Sequence, residues 1–372
     1  MFFFITTILT LLMAAYVIKS VVLPLSVALW IRVVLAVLIL IGSQKMGIYW
    51  FLGNIFPFLQ MRGVMIFFGI AQAWILMMFL GAIVLNVLSL FKVFIPAALP
   101  IMLIATLLIA VFSVWQALRV PSVKKVNVAL SGLSQSWQPL RIVQLSDLHI
   151  GSGFNGKWLS LVVEKTNALK PDLILITGDL IDGSPTSLMP ELQPLKKLKA
   201  PQGVLMVYGN HEYYYGPERW MPAFKELGLD IVMNEARVLD NAGTPFVVGG
   251  LPMPGANRFS LPAPQLSKTF EKVDKDLPRF LMAHYPSQVQ DAAKHQVLMQ
   301  FSGHTHGGQL FWPLNIPASS ANNGFLKGFY QVGPTRLYVS SGTGLWGGFP
   351  VRLGTTPEIT LFTIERAENH GA

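Results

Sequence analysis

The chain has 372 residues, of which 52% are hydrophobic, and a mean hydropathy of +0.50, too apolar for a purely water-soluble protein. It contains no cysteine, which excludes disulfides, thiolate metal sites and cysteine nucleophiles. The net charge of +9 does not describe a nucleic-acid-binding face, because Lys19, Arg32, Lys45, Arg62, Lys92, Arg119, Lys124 and Lys125 supply +8 of it from between apolar stretches. No nucleic-acid partner is expected.

Residues 1–125 carry no Asp or Glu, and the first acidic residue is Asp147. A helix crossing the hydrocarbon core needs roughly 20 apolar residues. Four stretches qualify, at about 2–18, 23–42, 64–91 and 95–117. The first lacks a basic flank ahead of it and is followed by further apolar spans, so it reads as an uncleaved helix rather than a signal peptide. Arg32 within the second span either snorkels, faces the bundle or marks a misplaced boundary. Four crossings would put the N-terminus and the downstream domain on one side. Lys45, Arg62, Arg119, Lys124 and Lys125 fall on that side against Lys19 and Lys92 on the other, which favours a cytoplasmic domain. The expectation is a multi-pass integral membrane protein of a bacterial inner membrane. It comprises a transmembrane region at 1–118, a linker at 119–138, a folded domain at 139–366 and a tail at 367–372.

From about residue 138 short apolar strands alternate with amphipathic helices. Strands are predicted at Leu140–Leu145, Leu173–Thr177, Val204–Tyr208, Phe246–Val248, Phe280–Ala283, Val297–Phe301, Leu337–Ser340 and Ile359–Ile364, and helices at Asn155–Leu169, Leu188–Leu198 and Glu218–Leu227. This pattern belongs to a layered α/β domain.

Five polar clusters follow predicted strands: Asp147-Leu148-His149, Gly178-Asp179, Gly209-Asn210-His211-Glu212, His284-Tyr285-Pro286 and Gly303-His304-Thr305-His306-Gly307-Gly308-Gln309. Taken singly, each has an ordinary explanation: Asp147 as a cap, Asp179 and Asn210 as turn residues, His284 as a satisfied loop histidine. Taken together they sit where ligand sites of α/β sheets form, beyond the carboxyl ends of strands. Five of the seven histidines lie in these clusters, whereas His295 and His370 fall outside them and read as surface residues. A mixed Asp, His and Asn donor set suits Mn²⁺, Fe or Zn²⁺ better than Mg²⁺ or Ca²⁺. Two such ions about 3.5–4 Å apart can clamp both oxygens of a phosphoryl displacement.

The ordered blocks resemble the calcineurin-like metallophosphoesterase superfamily over about residues 139–366. Ser340-Ser341-Gly342-Thr343-Gly344, Pro350-Val351-Arg352 and Pro357-Glu358-Ile359-Thr360 are similar to a bacterial membrane-associated subgroup that includes UDP-diacylglucosamine pyrophosphatase-like enzymes. The resemblance implies a four-layer α/β/β/α sandwich of two mixed sheets. It implies a first metal on Asp147, His149, Asp179 and His306 and a second on Asp179, Asn210, His284 and His304, with Asp179 bridging. It further implies in-line attack by a hydroxide held between the ions, with His211 protonating the leaving oxygen or stabilising charge.

The leading expectation is therefore a membrane-anchored, metal-dependent phosphoesterase or pyrophosphatase acting on phosphorylated substrates, lipid-linked ones included. The alternatives are a membrane sensor or scaffold that uses the domain for binding, and a transporter with a regulatory domain. Near-absence of intramembrane charge disfavours the last. Arg352 is a candidate for binding a second substrate phosphate, as a planar bidentate donor, or else a surface ion-pair residue. The apolar stretch Leu310–Pro313 with Phe325, Phe329, Tyr330, Leu345, Trp346 and Phe349 is divided between core packing and the rim of a site for an acyl or isoprenoid chain.

Overall fold

The computed structural model describes residues 2–52, 55, 56, 61–93, 95, 97–151 and 153–367. His370 and most of the expected tail lie outside the described residues. The chain divides into two compact units, one comprising the residues as far as Leu118 together with Gly347–Arg352, the other the remainder.

The first unit is helical: α1 (Phe2–Val17, continued by a π-helical turn to Val22), α2 (Leu29–Ser43), α3 (Lys45–Leu52), α4 (Arg62–Leu90) and α5 (Ala98–Leu118). Among the described residues, three helices are long and apolar enough to cross a membrane, at Phe4–Val22, Arg62–Leu90 and Ala98–Leu118. The second of the four expected spans is not among them. α2 has 15 residues, about 22 Å at 1.5 Å per residue, against a hydrocarbon core of about 30 Å. The chain turns after Pro24 and enters α2 only at Leu29.

α1, α4 and α5 share an apolar core of Val17, Val21, Ile75, Met78, Ala82 and Met102. Polar side chains link these helices in pairs, as apolar surroundings favour. Trp74 Nε1 donates to Thr106 Oγ1 at 3.1 Å, and Asn86 Nδ2 donates to the Tyr16 hydroxyl at 2.7 Å. The segment Gly347–Arg352 packs with these helices. Lys45 Nζ donates to Gly347 O at 2.7 Å, Arg352 N donates to Ser113 O at 3.1 Å, and Pro350 fills the space a side chain at Gly69 would need.

Among its described residues the second unit holds twelve strands: β1 (Ser122–Leu130), β2 (Leu140–Leu145), β3 (Leu173–Thr177), β4 (Val204–Val207), β5 (Asp230–Ile231), β6 (Glu235–Asn241), β7 (Thr244–Leu251), β8 (Arg279–Ala283), β9 (Val297–Ser302), β10 (Gly328–Val332), β11 (Thr335–Val339) and β12 (Glu358–Arg366). They form two mixed six-stranded sheets, in the orders β1-β12-β2-β3-β4-β5 and β10-β11-β9-β8-β7-β6. Residues 122–130, read as linker from the sequence, are thus an edge strand parallel to β12.

β3 reads Leu-Ile-Leu-Ile-Thr and is buried at every position, as parallel strands covered on both faces are. Side chains alternate between the faces of each sheet. Ile142, Leu173, Leu175, Leu205 and Val207 from one sheet meet Phe246, Val248, Phe280, Met282 and Phe301 from the other in one core. The opposite face of the second sheet packs Val247, Leu281 and Val297 against Leu266 and Phe270. Helix α6 (Gly156–Ala168) follows β2, and Asn155 caps it by accepting from Trp158 N at 3.1 Å. The short helix α7 (Pro185–Leu192) follows β3, and α8 (Asn210–Tyr214) and α9 (Pro217–Glu226) follow β4.

Candidate metal centre

The carboxyl ends of β2, β3 and β4 in one sheet and of β8 and β9 in the other carry the five polar clusters. Backbone bonds lace their loops together. Asp147 N donates to Gly178 O and His149 N to Asp179 O, both at 3.0 Å, and Gly303 N donates to His284 O at 3.1 Å. The Ser340–Gly344 stretch closes on the same place, with Thr343 N donating to Ser146 O at 2.7 Å and Gly344 N to Asp147 O at 3.0 Å.

The backbone here is strained. Asp147, His149, Asp179, His304 and His306 all have φ between 47° and 73°, a left-handed region that costs non-glycine residues of order 1 kcal/mol each. Two glycines let the loops approach. A Cβ on Gly209 would run into Asp179 Oδ1, and one on Gly303 into Ser146 Oγ and Asp147 Oδ2.

The resulting cluster is buried and tight. Asp179 Oδ2 lies 3.6 Å from His149 Nε2, 3.4 Å from His284 Nε2 and 4.0 Å from His211 Nε2. Asp179 Oδ1 accepts from His211 N at 2.8 Å. His306 Nε2 lies 3.7 Å from Asp147 Oδ1 and 3.3 Å from His149 Nε2. Among the described residues, three groups are able to hold a cation: Asp147, His149 and His306; His149, Asp179 and His211; and Asp179, His284 and His304. Asn210 is buried beside them, its Oδ1 accepting from the Tyr285 hydroxyl at 3.4 Å. Seven expected ligands and His211 therefore come together.

The donors fit metal ions by their own hydrogen bonding. His284 Nδ1 is 2.7 Å from Thr177 O, so that nitrogen donates and Nε2 is the free ligating atom. His284 Nε2 is buried, faces Asp179 Oδ2 at 3.4 Å and has no closer hydrogen-bond partner among the described residues. His149 Nδ1 is likewise engaged by Asp182 Oδ1 at 3.0 Å.

Charge is distributed unevenly. Burial would raise Asp179, but the facing imidazoles of His284, His211 and His149 outweigh it and hold it well below the usual carboxylate range. Burial holds Asp147 above that range. Burial would lower His284 and His211, but Asp179, joined at His211 by Asp182, raises them to about 9 and about 10. Burial and the neighbouring His284 charge push His304 down to about 3. Without metal the site thus holds protons on some of its nitrogens, and a cation would replace them.

Two further residues complete the site. Asp182 Oδ1 lies 2.5 Å from His211 Nδ1 as well as 3.0 Å from His149 Nδ1, joining an expected ligand to the expected proton donor. Glu212 accepts from Gly209 N, Asp179 N and Leu180 N at 2.7, 3.0 and 2.7 Å, fixing the β3 and β4 loops to each other. Asp182 stands three residues after Asp179, and that spacing was the available signal for it. Aromatic rings flank His211, with centroids of Tyr214, Tyr215 and Trp346 at 5.5, 6.4 and 6.3 Å.

His295 bonds Ser267 Oγ and Asp291 O, both at 3.0 Å. Arg352 is fully buried and groups with the helical unit.

Comparison with known proteins agrees with this geometry. Residues 140–308 match the family described as calcineurin-like phosphoesterase. An uncharacterized metallophosphoesterase of Bacillus subtilis is 33% identical over 245 residues, covering 64% of this chain and 84% of that protein. One from Helicobacter pylori is 34% identical over 257 residues, covering 67% and 65%. A Bos taurus protein named transmembrane protein with metallophosphoesterase domain is 33% identical over 274 residues, covering 70% and 61%. The chain thus belongs to the calcineurin-like metallophosphoesterase family, while spanning less than two thirds of the length of the Helicobacter and Bos relatives. Three long apolar helices, and a relative named as a transmembrane protein, suggest membrane association.

Proposed function

We propose that the chain is a membrane-anchored phosphoesterase that holds two divalent ions, one on Asp147, His149, Asp179 and His306, the other on Asp179, Asn210, His284 and His304. The observation that carries this reading is the position of Asp179 Oδ2, within 3.6 Å of Nε2 atoms from two different ligand groups. Manganese, iron and zinc suit the donor set. Bound ions would supply Lewis-acid charge to phosphoryl oxygens and lower the pKa of water. His211 holds a proton against Asp182 and faces the same space through Nε2, so it can donate to a leaving oxygen. Glu212 and the glycine contacts keep the loops from relaxing as charge changes.

The substrate we propose is a phosphodiester or pyrophosphate, lipid-linked in the manner of nucleotide-diphosphate lipids. The UDP-diacylglucosamine pyrophosphatase-like motif tail and the aromatic rings beside His211 support it. We place the domain on the cytoplasmic face of a bacterial inner membrane. If α2 does not cross, Lys19 and Arg32 join Lys45, Arg62, Arg119, Lys124 and Lys125 on the domain side, leaving Lys92 opposite. The test is to assay the purified, metal-loaded full chain against nucleotide-diphosphate lipids, phospholipids and soluble diesters. Preference for the first class supports the reading. Hydrolysis of soluble diesters alone rejects the lipid-linked substrate, and no hydrolysis of any class rejects the enzyme.

A further inference from the structure

Outside the metal centre, the second unit displays large apolar side chains in one region. Trp312 is 76% exposed, Phe311 and Ile316 are each 46% exposed, and Phe329 is 43% exposed. Soluble surfaces rarely gather such residues without a partner.

They are joined through short contacts. Gly354 packs against the Phe311 backbone, where an added Cβ would come within 2.9 Å of Cα. Lys327 Nζ donates to Gly354 O at 2.8 Å, and Lys327 lies two residues before Phe329. The Phe329 ring centroid is 4.9 Å from that of Tyr338, and Lys124 Nζ is 5.2 Å from the Tyr338 ring on its way to Glu358.

Lys124 stands in β1, only six residues after the last residue of α5. Six residues span at most about 22 Å. Phe329 therefore lies beside β1, the edge strand by which the chain enters the domain. Lys124 and Lys327 are exposed there. Tryptophan and phenylalanine beside lysine are the residue types that settle at the headgroup boundary of an anionic bilayer.

We infer that Phe311, Trp312, Ile316 and Phe329 form a membrane-seating surface that enters the lipid–water interface. The segment carrying Phe311 and Trp312 follows His306 closely in the chain, so seating it would hold lipid headgroups near the rim of the metal centre.

The chain has no cysteine, so Trp312→Cys or Phe329→Cys gives a single labelling site. The full chain carrying a nitroxide at either position would be placed in nanodiscs of mixed neutral and anionic phospholipid. Collisional access to oxygen, which concentrates in lipid, would be compared with access to a water-soluble nickel chelate. Lys268→Cys, at an exposed position elsewhere on the domain, is the aqueous reference. The oxygen-to-nickel ratio is expected to be several-fold higher at 312 and 329 than at 268. A ratio equal to the reference at both positions would overturn the inference. So would shielding from both reagents with spin–spin broadening between chains, which would assign the surface to a second copy. Neither readout depends on hydrolysis.

Discussion

His149 and His306 bring their Nε2 atoms to 3.3 Å of each other, with His149 Nδ1 already engaged by Asp182. Only a proton or a cation holds two such nitrogens together at that distance. Metal binding must therefore compete with protons. In the metal-free protein His284 keeps its proton until about pH 9, so metal affinity should rise with pH up to that point, by as much as about tenfold per unit for each proton displaced. The stability that this raised pKa lends the metal-free fold is fully present below the unfolded value near 6.5 and is lost as pH rises through about 9. Competition titrations with a chelating dye at several pH values check this. A pH-independent affinity would contradict it.

His211→Asn should separate chemistry from metal binding. Turnover is expected to fall by about 10²–10⁴-fold, the usual contribution of a positioned acid. Metal content by elemental analysis should not change, since His149, His284, His304 and His306 remain. Loss of an ion in this variant would make His211 a ligand instead.

Asp182→Asn should act on two residues at once. Without the carboxylate, the His211 imidazolium, held to about pH 10 in the metal-free protein, should titrate at lower pH when followed by NMR. His149 loses its orienting partner as well, so metal affinity is expected to drop by about 10–100-fold. A variant in which His211 titrates as before would remove Asp182 from the account.

Gly303→Ala tests the packing of the loops. Its methyl group would meet Ser146 Oγ and Asp147 Oδ2, so the β2 and β9 loops must part. A loss of about 1–3 kcal/mol is expected from overpacking of this kind, together with reduced metal content. Unchanged thermal stability and metal content would show that the loops give freely.

Much of this was legible in the sequence. Leu140–Leu145 and Leu173–Thr177 are apolar runs bounded by polar loops, and the structure ends them at the same residues. The ligand clusters follow such strands, so their convergence could be expected. Edge strands could not be read in the same way. β1 contains Lys124, Lys125 and Asn127 and is exposed along much of its length, so it lacks the apolar run that marks a covered strand. Its partner β12 lies more than 200 residues away, and local pattern carries no trace of that pairing. Asp182 was missed for a related reason: a turn aspartate and an aspartate gripping two histidines look alike until the loops are folded. In the helical unit, hydropathy marked an apolar segment from residue 23 but not the turn that shortens it to α2.

In the proposed centre Asp179 is the carboxylate common to both metal positions. This is tested most directly by measuring bound divalent metal and hydrolysis of a small chromogenic diester for the full chain and for Asp179→Ala. Two ions per chain and measurable turnover are expected for the native protein, with metal content reduced and turnover abolished in the variant. An Asp179→Ala chain that keeps both ions and its turnover would contradict it.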